Sequence, residues 1–139
     1  MARRPFKLNA PVVREPVLHK QVADVLRMEL GPPGRISHHG VCWWSVDMAN
    51  YGGVAPGLRT ARGCIAGVPD MQVLFLGLAF FIELKAEDGI LSDAQQSVAT
   101  DICLGGARYG VARNAEEVLV LLDTWEIPRS KRVHLQHAR

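Results

Sequence analysis

The sequence has few of the features that mark secreted or membrane-spanning proteins. Its 139 residues include 3 cysteines, Cys42, Cys64 and Cys103, and an odd number without a secretory leader argues against a disulfide framework. The longest apolar stretch, Val73 to Ile82, is interrupted by Gly77 and is far shorter than the roughly 20 residues that cross a bilayer. We therefore expect a protein of a reducing cytoplasm without a membrane segment.

The sequence also lacks a large net charge, and its share of apolar residues is not low. Hydrophobic residues make up 48% of the chain and the formal net charge is +2, a composition that predicts one folded domain. The charge is uneven, because both ends are basic. We predict a basic extended arm over residues 1–14, a folded domain over 15–128 and a basic tail over 129–139. Basic ends favour a polyanionic partner, although they are also common solubility features.

The first half of the domain shows one helix and three strands. A helix beginning at Glu15 has apolar residues on one face and ends at Gly31. Val41 to Val46 is rich in valine and tryptophan and predicts a strand. Asp70 to Leu76 and Leu78 to Leu84 are apolar runs separated by one glycine. They predict a tight hairpin at the centre of a sheet, buried on both faces.

Cap signals define the second half. Ser92 stands three residues before Gln95, a capping-box pattern that opens a helix ending at Gly105. Tyr109 to Ala112 predicts a short strand, and Asn114 opens a last helix that runs to Thr124. The order α-β-β-β-α-β-α predicts an α/β fold with a mixed central sheet of about four strands flanked by helices.

The long Gly-rich connection from Met48 to Pro69 is expected to be functional or partly ordered, because idle loops of this length are uncommon. Asn50 to Gly53 is a candidate flexible segment for substrate approach. Arg35, Arg59 and Arg62 lie in or near this connection and are candidate DNA-phosphate contacts. The alternative is a solvated loop that happens to contain arginines.

Charged residues stand at the matching ends of the two hairpin strands. Asp70 begins the first strand, and the second ends in Glu83, Leu84 and Lys85. A hairpin that turns at Gly77 brings these ends together. Carboxylates gathered near a core need compensation, and a divalent cation held by Asp70, Glu83 and the Leu84 carbonyl is one possibility.

Two further observations bear on this acidic cluster. Glu15 is phased with the inward face of the first helix, so we expect its carboxylate to point inward and join the cluster. The alternative is an ion pair between Lys85 and Glu83 or Asp70, with Glu15 merely favourable at a helix N-terminus. Spacing alone favours this ion-pair alternative.

Combined motifs give the sequence a resemblance to a known family. Gly67-Val68-Pro69-Asp70 followed by Ile82-Glu83-Leu84-Lys85 resembles the motifs of the PD-(D/E)XK nucleases. Residues 89–95 and 106–111 are similar to the VRR-NUC group, including its small stand-alone viral and bacterial members. The resemblance covers about residues 15–124 and suggests a bacterial cell or a phage-infected host.

The resemblance implies a restriction-endonuclease-like core and cleavage of DNA with one or two Mg²⁺ or Mn²⁺ ions. Asp70 and Glu83 would be metal ligands, with the Leu84 backbone carbonyl, and Lys85 would orient or activate the attacking water. Gln95 would be the helix glutamine near the site, unless it is only the partner of Ser92. The first-helix acid, a further metal ligand, would be Glu15, although His19 stands where a glutamine often follows that acid.

The expected activity is a structure-specific DNA endonuclease that cuts branched DNA such as Holliday junctions and leaves a 5′-phosphate and a 3′-hydroxyl. Cutting two strands in register needs two sites, which predicts a homodimer. The alternatives are a non-catalytic DNA-binding protein with a structural ion-pair cluster, and an exonuclease or nickase acting at ends or flaps. His38, His39 and Cys42 suggest zinc only weakly, because a structural zinc site needs four ligands.

Overall fold

The structure is a computed structural model that describes residues 14–46 and 56–130. The helices and strands of these residues are α1 (Glu15–Leu30), β1 (Val41–Ser45), α2 (Pro56–Ala61), β2 (Met71–Phe75), β3 (Leu78–Leu84), α3 (Asp93–Leu104), β4 (Arg108–Ala112) and α4 (Ala115–Thr124). Apart from the short α2, the elements follow the order that the sequence predicts.

The strands form an open mixed sheet in the order β1-β2-β3-β4. β1 pairs antiparallel with β2 and β2 antiparallel with β3, whereas β3 pairs in parallel with β4, the strand that follows α3. The protein is therefore a mixed α/β fold with four strands flanked by helices. The predicted central position of the β2–β3 hairpin is confirmed.

The hairpin turn consists of Leu76 and Gly77, between the paired residues Phe75 and Leu78. Both turn residues have positive φ, 51° and 74°, as in the two-residue turns that match the twist of antiparallel strands. Leucine is an unusual residue in this conformation, and its side chain is 80% exposed. The turn fixes the register of the two strands and hence the position of the charged residues at their far ends.

One face of the sheet carries the hydrophobic core. Helices α1 and α4 contact each other, α1 packs on β1 and β3, and α4 packs on β4. The buried apolar side chains are Leu18, Val22, Leu26, Leu30, Val41, Trp43, Met71, Val73, Phe80, Ile82, Leu84, Ala112, Val118, Leu122 and Ile127. They alternate along each strand, so a single face supplies them.

The expectation that the hairpin strands are buried on both faces is wrong for the described part of the chain. Leu74 and Leu78 are exposed, and the second face of the sheet receives α3, which packs mainly on β4. No residue of α3 is buried. Apolar composition predicted burial, but a helix at one edge of the sheet cannot cover the hairpin.

The helix ends follow their local signals. Pro16 stands in the first turn of α1, and Gly31, at φ 90°, ends the helix. The Gly31 carbonyl accepts a 2.8 Å hydrogen bond from Trp43 Nε1, which ties this end to β1. The Asn114 side chain accepts from the Glu117 amide and begins α4.

Parts of the predicted organisation lie outside the described residues. The arm over residues 1–13, the segment Asn50 to Gly53 and residues 131–139 belong to this group. The predicted partial order of the Met48–Pro69 connection is confirmed by α2. Among the residues that the structure describes, no helix combines the length and apolarity that crossing a membrane requires.

Candidate active site

The hairpin brings Asp70 beside the end of β3, as the spacing predicts. Because Met71 pairs with Ile82, the residue before Met71 lies across from Glu83. Asp70 Oδ2 accepts a 2.8 Å hydrogen bond from the Leu84 amide. The Val46 amide donates to the Asp70 carbonyl at 2.7 Å, which extends the β1–β2 pairing by one residue. Asp70 is therefore held by the backbones of both neighbouring strands.

Glu83 is a buried carboxylate with incomplete compensation. The residue is 3% exposed, and its Oε1 accepts a 2.7 Å hydrogen bond from Gln95 Nε2. Its Oε2 is buried and receives no hydrogen bond from an N–H group of the described residues, and the carboxyl of Asp70 lies within hydrogen-bonding reach of the Glu83 carboxyl. Burial, together with the neighbouring Asp70 carboxylate, raises the pKa of Glu83 to about 8.

Burial also raises the pKa of Asp70, although the Leu84 amide opposes this effect. Two adjacent carboxylates with raised pKa values cannot both be ionised cheaply near neutral pH. Without a cation, Asp70 and Glu83 therefore hold a proton between them near neutral pH.

Gln95 performs both of the roles that the sequence left open. Its Oε1 accepts a 2.9 Å hydrogen bond from the Ser92 amide, while the Ser92 hydroxyl accepts from the Gln95 amide, which completes the capping box. Its Nε2 donates to Glu83. The N-terminus of α3 thereby fixes the orientation of one carboxylate of the site.

Gly67, the first residue of the Gly-Val-Pro-Asp motif, stands where the structure requires a glycine. It has φ 86°, and a Cβ atom on it would stand 2.5 Å from the Ala94 carbonyl oxygen. A side chain at this position is excluded by both its conformation and its contact with α3. The segment that leads to Asp70 therefore passes directly against the first turn of α3, beside Gln95.

Lys85 pairs with Glu15 and not with the carboxylates named in the ion-pair alternative. Its Nζ lies 3.8 Å from Glu15 Oε1, and no ion pair joins it to Asp70 or Glu83 among the described residues. Its side chain is 12% exposed, whereas that of Glu15 is 56% exposed. Glu15 joins the acidic cluster as expected, since it lines the same cleft and its charge acts on both Asp70 and Glu83, but its side chain is exposed and does not point into the core. Glu15 precedes Leu18, the first buried residue of α1, and lies at the mouth of the site.

A cleft of about 660 Å³ opens beside the carboxylates, between the site and α1. Its lining residues are Glu15, Pro16, His19, Lys20, Ala23, Arg27, Ser45, Val46, Val68, Asp70, Glu83, Leu84 and Gln95. The structure does not bring Arg35, Arg59 or Arg62 into this lining. Arg35 and Arg62 are exposed elsewhere, and Arg59 is partly buried in α2.

The basic residues of the cleft come from α1. His19 acts electrostatically on Asp70 and opposes the rise in its pKa. Lys20 and Arg27 complete the basic side of the lining, and the sequence reasoning did not select them. The available signal was their spacing from Glu15 on one helix, which is informative only once that helix is known to border the site.

Tyr109 is a second residue that the sequence reasoning missed. It lies on β4, where it pairs with Phe81, two residues before Glu83 on the same face of β3. Its hydroxyl is buried without a hydrogen-bond partner among the described residues. The pKa of Tyr109 is raised to about 12, mainly by burial and to a smaller extent by the charges of Glu83 and Asp70. It is therefore a neutral phenol close to the carboxylates.

Arg113 holds the loop that follows Lys85. Its Nη1 donates to the carbonyls of Ala86 at 2.6 Å and Gly89 at 2.7 Å. The Lys85 amide itself donates to the Ala112 carbonyl, which continues the β3–β4 pairing past the end of β3. The backbone of Lys85 and the loop that follows it are thus both held in place.

In residues 14–46 and 56–130, no group of three or more His, Cys, Asp or Glu side chains is placed to bind a metal ion. The ring centroids of His38 and His39 lie 3.8 Å apart with the rings tilted by 42°, and this pair gives no support to the zinc alternative. Asp70 and Glu83 can offer a cation two carboxylates, with its remaining ligands coming from backbone, water or substrate.

Comparison with known proteins finds no match: no family model, no curated protein and no solved structure is similar to this chain. A functional assignment must therefore rest on the motifs and on the geometry of the site.

Proposed function

We propose that this protein is a divalent-metal-dependent DNA endonuclease of the VRR-NUC type within the PD-(D/E)XK nucleases. One observation carries the proposal: the buried Glu83 and the partly buried Asp70 lie side by side at the end of the central hairpin, and no basic side chain of the described residues forms an ion pair with either, the charges of Lys85 and His19 acting on them only from a longer distance. A buried acidic pair without a countercharge is costly unless a cation completes it.

The residues present fit a hard divalent cation. Glu83 Oε2 is buried and receives no hydrogen bond from an N–H group of the described residues, so a cation that displaces the proton held with Asp70 finds a lone pair there. The raised pKa values of Glu83 and Asp70 show that burial outweighs the opposing charges of Lys85 and His19. Mg²⁺ prefers one or two carboxylates and keeps several waters, which agrees with a two-carboxylate site that borders an open cleft. The Leu84 carbonyl is the proposed backbone ligand. Glu15, expected from the sequence to be a further ligand, lies at the mouth and is not placed to join the two carboxylates in a three-side-chain site among the described residues.

A bound divalent cation would stabilise the charge that develops on the phosphate and lower the pKa of a water at the site. The residues of the chain would do the rest. Lys85 would hold the attacking water or the phosphate, and Glu15 would keep the lysine side chain at the mouth of the site. Gln95 would keep the Glu83 carboxylate in one orientation through its Nε2. The expected products carry a 5′-phosphate and a 3′-hydroxyl.

The substrate form and the assembly belong to the same proposal. The element order and the mixed sheet agree with a restriction-endonuclease-like core. One domain offers one site, so cutting two strands of a branched substrate such as a Holliday junction requires a homodimer. A strictly monomeric protein in light scattering, with and without DNA, would contradict this part.

The test is cleavage of an end-labelled four-way junction and of a matched linear duplex in Mg²⁺, Mn²⁺ or EDTA. We expect metal-dependent cutting of the junction by the wild type, none by Lys85→Ala, and retained DNA binding by that variant. Asp123→Asn, which changes an exposed carboxylate far along α4, is the matched control and should cut normally. Binding without cutting by the wild type would instead support the non-catalytic alternative. Trimming of linear ends would support the exonuclease.

A further inference from the structure

We propose that the exposed side of α1 is the track for one DNA strand leading away from the cleaved bond, with Lys20 and Arg27 each contacting a backbone phosphate. This inference rests on the proposed function and names the substrate-binding surface of that site. It differs from the expectation drawn from the sequence, which selected Arg35, Arg59 and Arg62.

The two cations lie in the cleft that contains the acidic pair. Lys20 and Arg27 line the same cleft as Asp70 and Glu83, on the wall opposite the sheet. Both side chains are exposed, so their charges are available to a ligand at little desolvation cost. Because Ala23 also lines the cleft between them, no large side chain from α1 separates the two charges within that lining. The α1 wall of the cleft therefore carries two exposed cations, next to the acidic residues at its other side.

The spacing of Lys20 and Arg27 along α1 also fits contacts with separate phosphates. A helix rises about 1.5 Å per residue, so Lys20 lies about 7.5 Å along the axis from Glu15, at the mouth of the site, and Arg27 about 10.5 Å farther. One DNA strand rises about 3.4 Å per nucleotide. The separation of about 10.5 Å between the two cations exceeds this rise, so they can contact different phosphates, with Lys20 the nearer of the two to the acidic pair.

Asp24 lies between the two cations on α1 and forms an ion pair with each of them. Its Oδ2 accepts a 2.6 Å hydrogen bond from Lys20 Nζ, and its Oδ1 accepts a 3.1 Å hydrogen bond from Arg27 Nη1. These ion pairs give the two long side chains a preferred orientation and partly neutralise them. A phosphate that binds either cation must compete with this carboxylate. Removing the Asp24 charge should therefore strengthen DNA binding, the opposite sign to removing the cations.

The first experiment measures equilibrium binding of a labelled linear duplex by fluorescence anisotropy as a function of salt. Asp70→Asn serves as the parent protein, so that the substrate stays intact. Adding Lys20→Ala and Arg27→Ala together should lower the slope of log K against log salt by about two, and weaken binding about tenfold near 100 mM salt. Adding Asp24→Asn should tighten binding about threefold. Arg62→Ala, on an exposed residue outside the cleft, is the matched control and should change little.

The second experiment pairs each side chain with one phosphate. Single neutral methylphosphonates are placed at successive positions on either side of the cleavage site of a four-way junction, mapped beforehand with the wild type, and binding is measured again. A methylphosphonate at one phosphate near the cleavage site should weaken binding by the parent but not by the Lys20→Ala protein. A methylphosphonate at a second, more distant phosphate should do the same for Arg27→Ala. Loss of this pairing, with every methylphosphonate weakening all variants equally, would overturn the proposed track.

The inference and the function it rests on fail in different ways. An unchanged salt slope in the Lys20→Ala/Arg27→Ala protein, together with metal-dependent cutting by the wild type, would overturn the α1 track and leave the nuclease standing. Normal binding effects with no cutting by the wild type would overturn the nuclease and keep the track as a DNA-binding surface. No binding of DNA by any variant would overturn both.

Discussion

Two buried glutamates with opposite surroundings distinguish the two ends of this molecule. Glu29 is 4% exposed and Glu83 is 3% exposed, and they are the charged residues that the described part of the chain buries. Glu29 Oε2 accepts a 3.0 Å hydrogen bond from Arg129 Nη1, and the Arg129 Nε donates to Asp123 at 2.8 Å. Glu83 faces the Asp70 carboxylate and the uncharged Gln95 amide, and the charge of Lys85 acts on it without forming an ion pair.

The difference separates a carboxylate that stabilises the fold from one that is open to a ligand. At Glu29 the countercharge comes from the chain itself, and the Ser130 amide also donates to the Glu29 carbonyl, so the last described residues are fastened to α1. Hydrogen bonds to Asp123 and Glu29 raise the pKa of Arg129 further above its usual range. At Glu83 no such arginine is present among the described residues. A buried charge left in this state is unfavourable for folding and is retained where function requires it.

The largest contrast is expected in cleavage. Asp70→Asn should lower the rate of DNA cutting by about 10³-fold or more, because it removes one carboxylate from the proposed cation site. Asp123→Asn, beside the other glutamate, should lower it less than about twofold. Single-turnover cleavage of labelled DNA measures both. Equal losses in the two variants would mean that the acidic pair has no special role.

The second contrast is expected in stability. Arg129→Met should destabilise the fold by about 3 kcal/mol, because the buried Glu29 then loses the guanidinium with which it forms an ion pair. Adding Glu29→Gln should restore part of this loss, since an amide is less costly to bury than a carboxylate. Urea unfolding of the wild type and the variants measures the free energies. A double variant as unstable as the sum of the single changes would show that the pair is not coupled.

Glu83→Gln should have the opposite effect on stability and depend on pH. The pKa of Glu83 rises from 4.5 to about 8 on folding, so the folded state retains a proton that the unfolded state has lost between these values. Wild-type stability therefore falls as pH rises from 4.5 to 8. Glu83→Gln should be close to the wild type near pH 4.5 and exceed it by about 3 kcal/mol near pH 7. An advantage that does not change with pH would contradict this account of the acidic pair.

The smallest effect is expected at Gln95, where two substitutions separate its two contacts. Gln95→Glu keeps an oxygen for the Ser92 amide but replaces the donor to Glu83 with a third carboxylate. Gln95→Ala removes both contacts. Each substitution should lower the free energy of unfolding by about 1 kcal/mol near pH 7. The loss in Gln95→Glu should grow with pH, because the new carboxylate repels that of Glu83. Thermal unfolding across pH separates them, and identical pH profiles would show that the Glu83 contact contributes nothing.

The part of the site that the sequence predicts well is local. Asp70 and Glu83 meet because one turn at Gly77 fixes the register of adjacent strands, and this register follows from the apolar pattern. The capping box at Ser92 and Gln95 is also local, since it spans a single helical turn. The coarse α/β architecture follows from the same signals.

The features that the sequence does not predict depend on packing between distant elements. Lys20 and Arg27 look like ordinary surface residues until α1 is known to border the acidic pair. Tyr109 looks like a routine strand residue until β4 is placed beside β3. Arg129 resembles the start of a basic tail, yet the structure packs it on Glu29, which is 100 residues away. Such contacts have no local signal in a single sequence.

The most direct test of the central claim is Mn²⁺ binding, measured by electron paramagnetic resonance of the wild type, Asp70→Asn and Asp123→Asn, each in the presence of a non-cleavable phosphorothioate duplex. The account predicts saturable binding by the wild type and by Asp123→Asn, and loss of that binding in Asp70→Asn. Wild-type binding that is undiminished in Asp70→Asn, or no binding by any of the three proteins, would contradict the claim that Asp70 and Glu83 form a cation site.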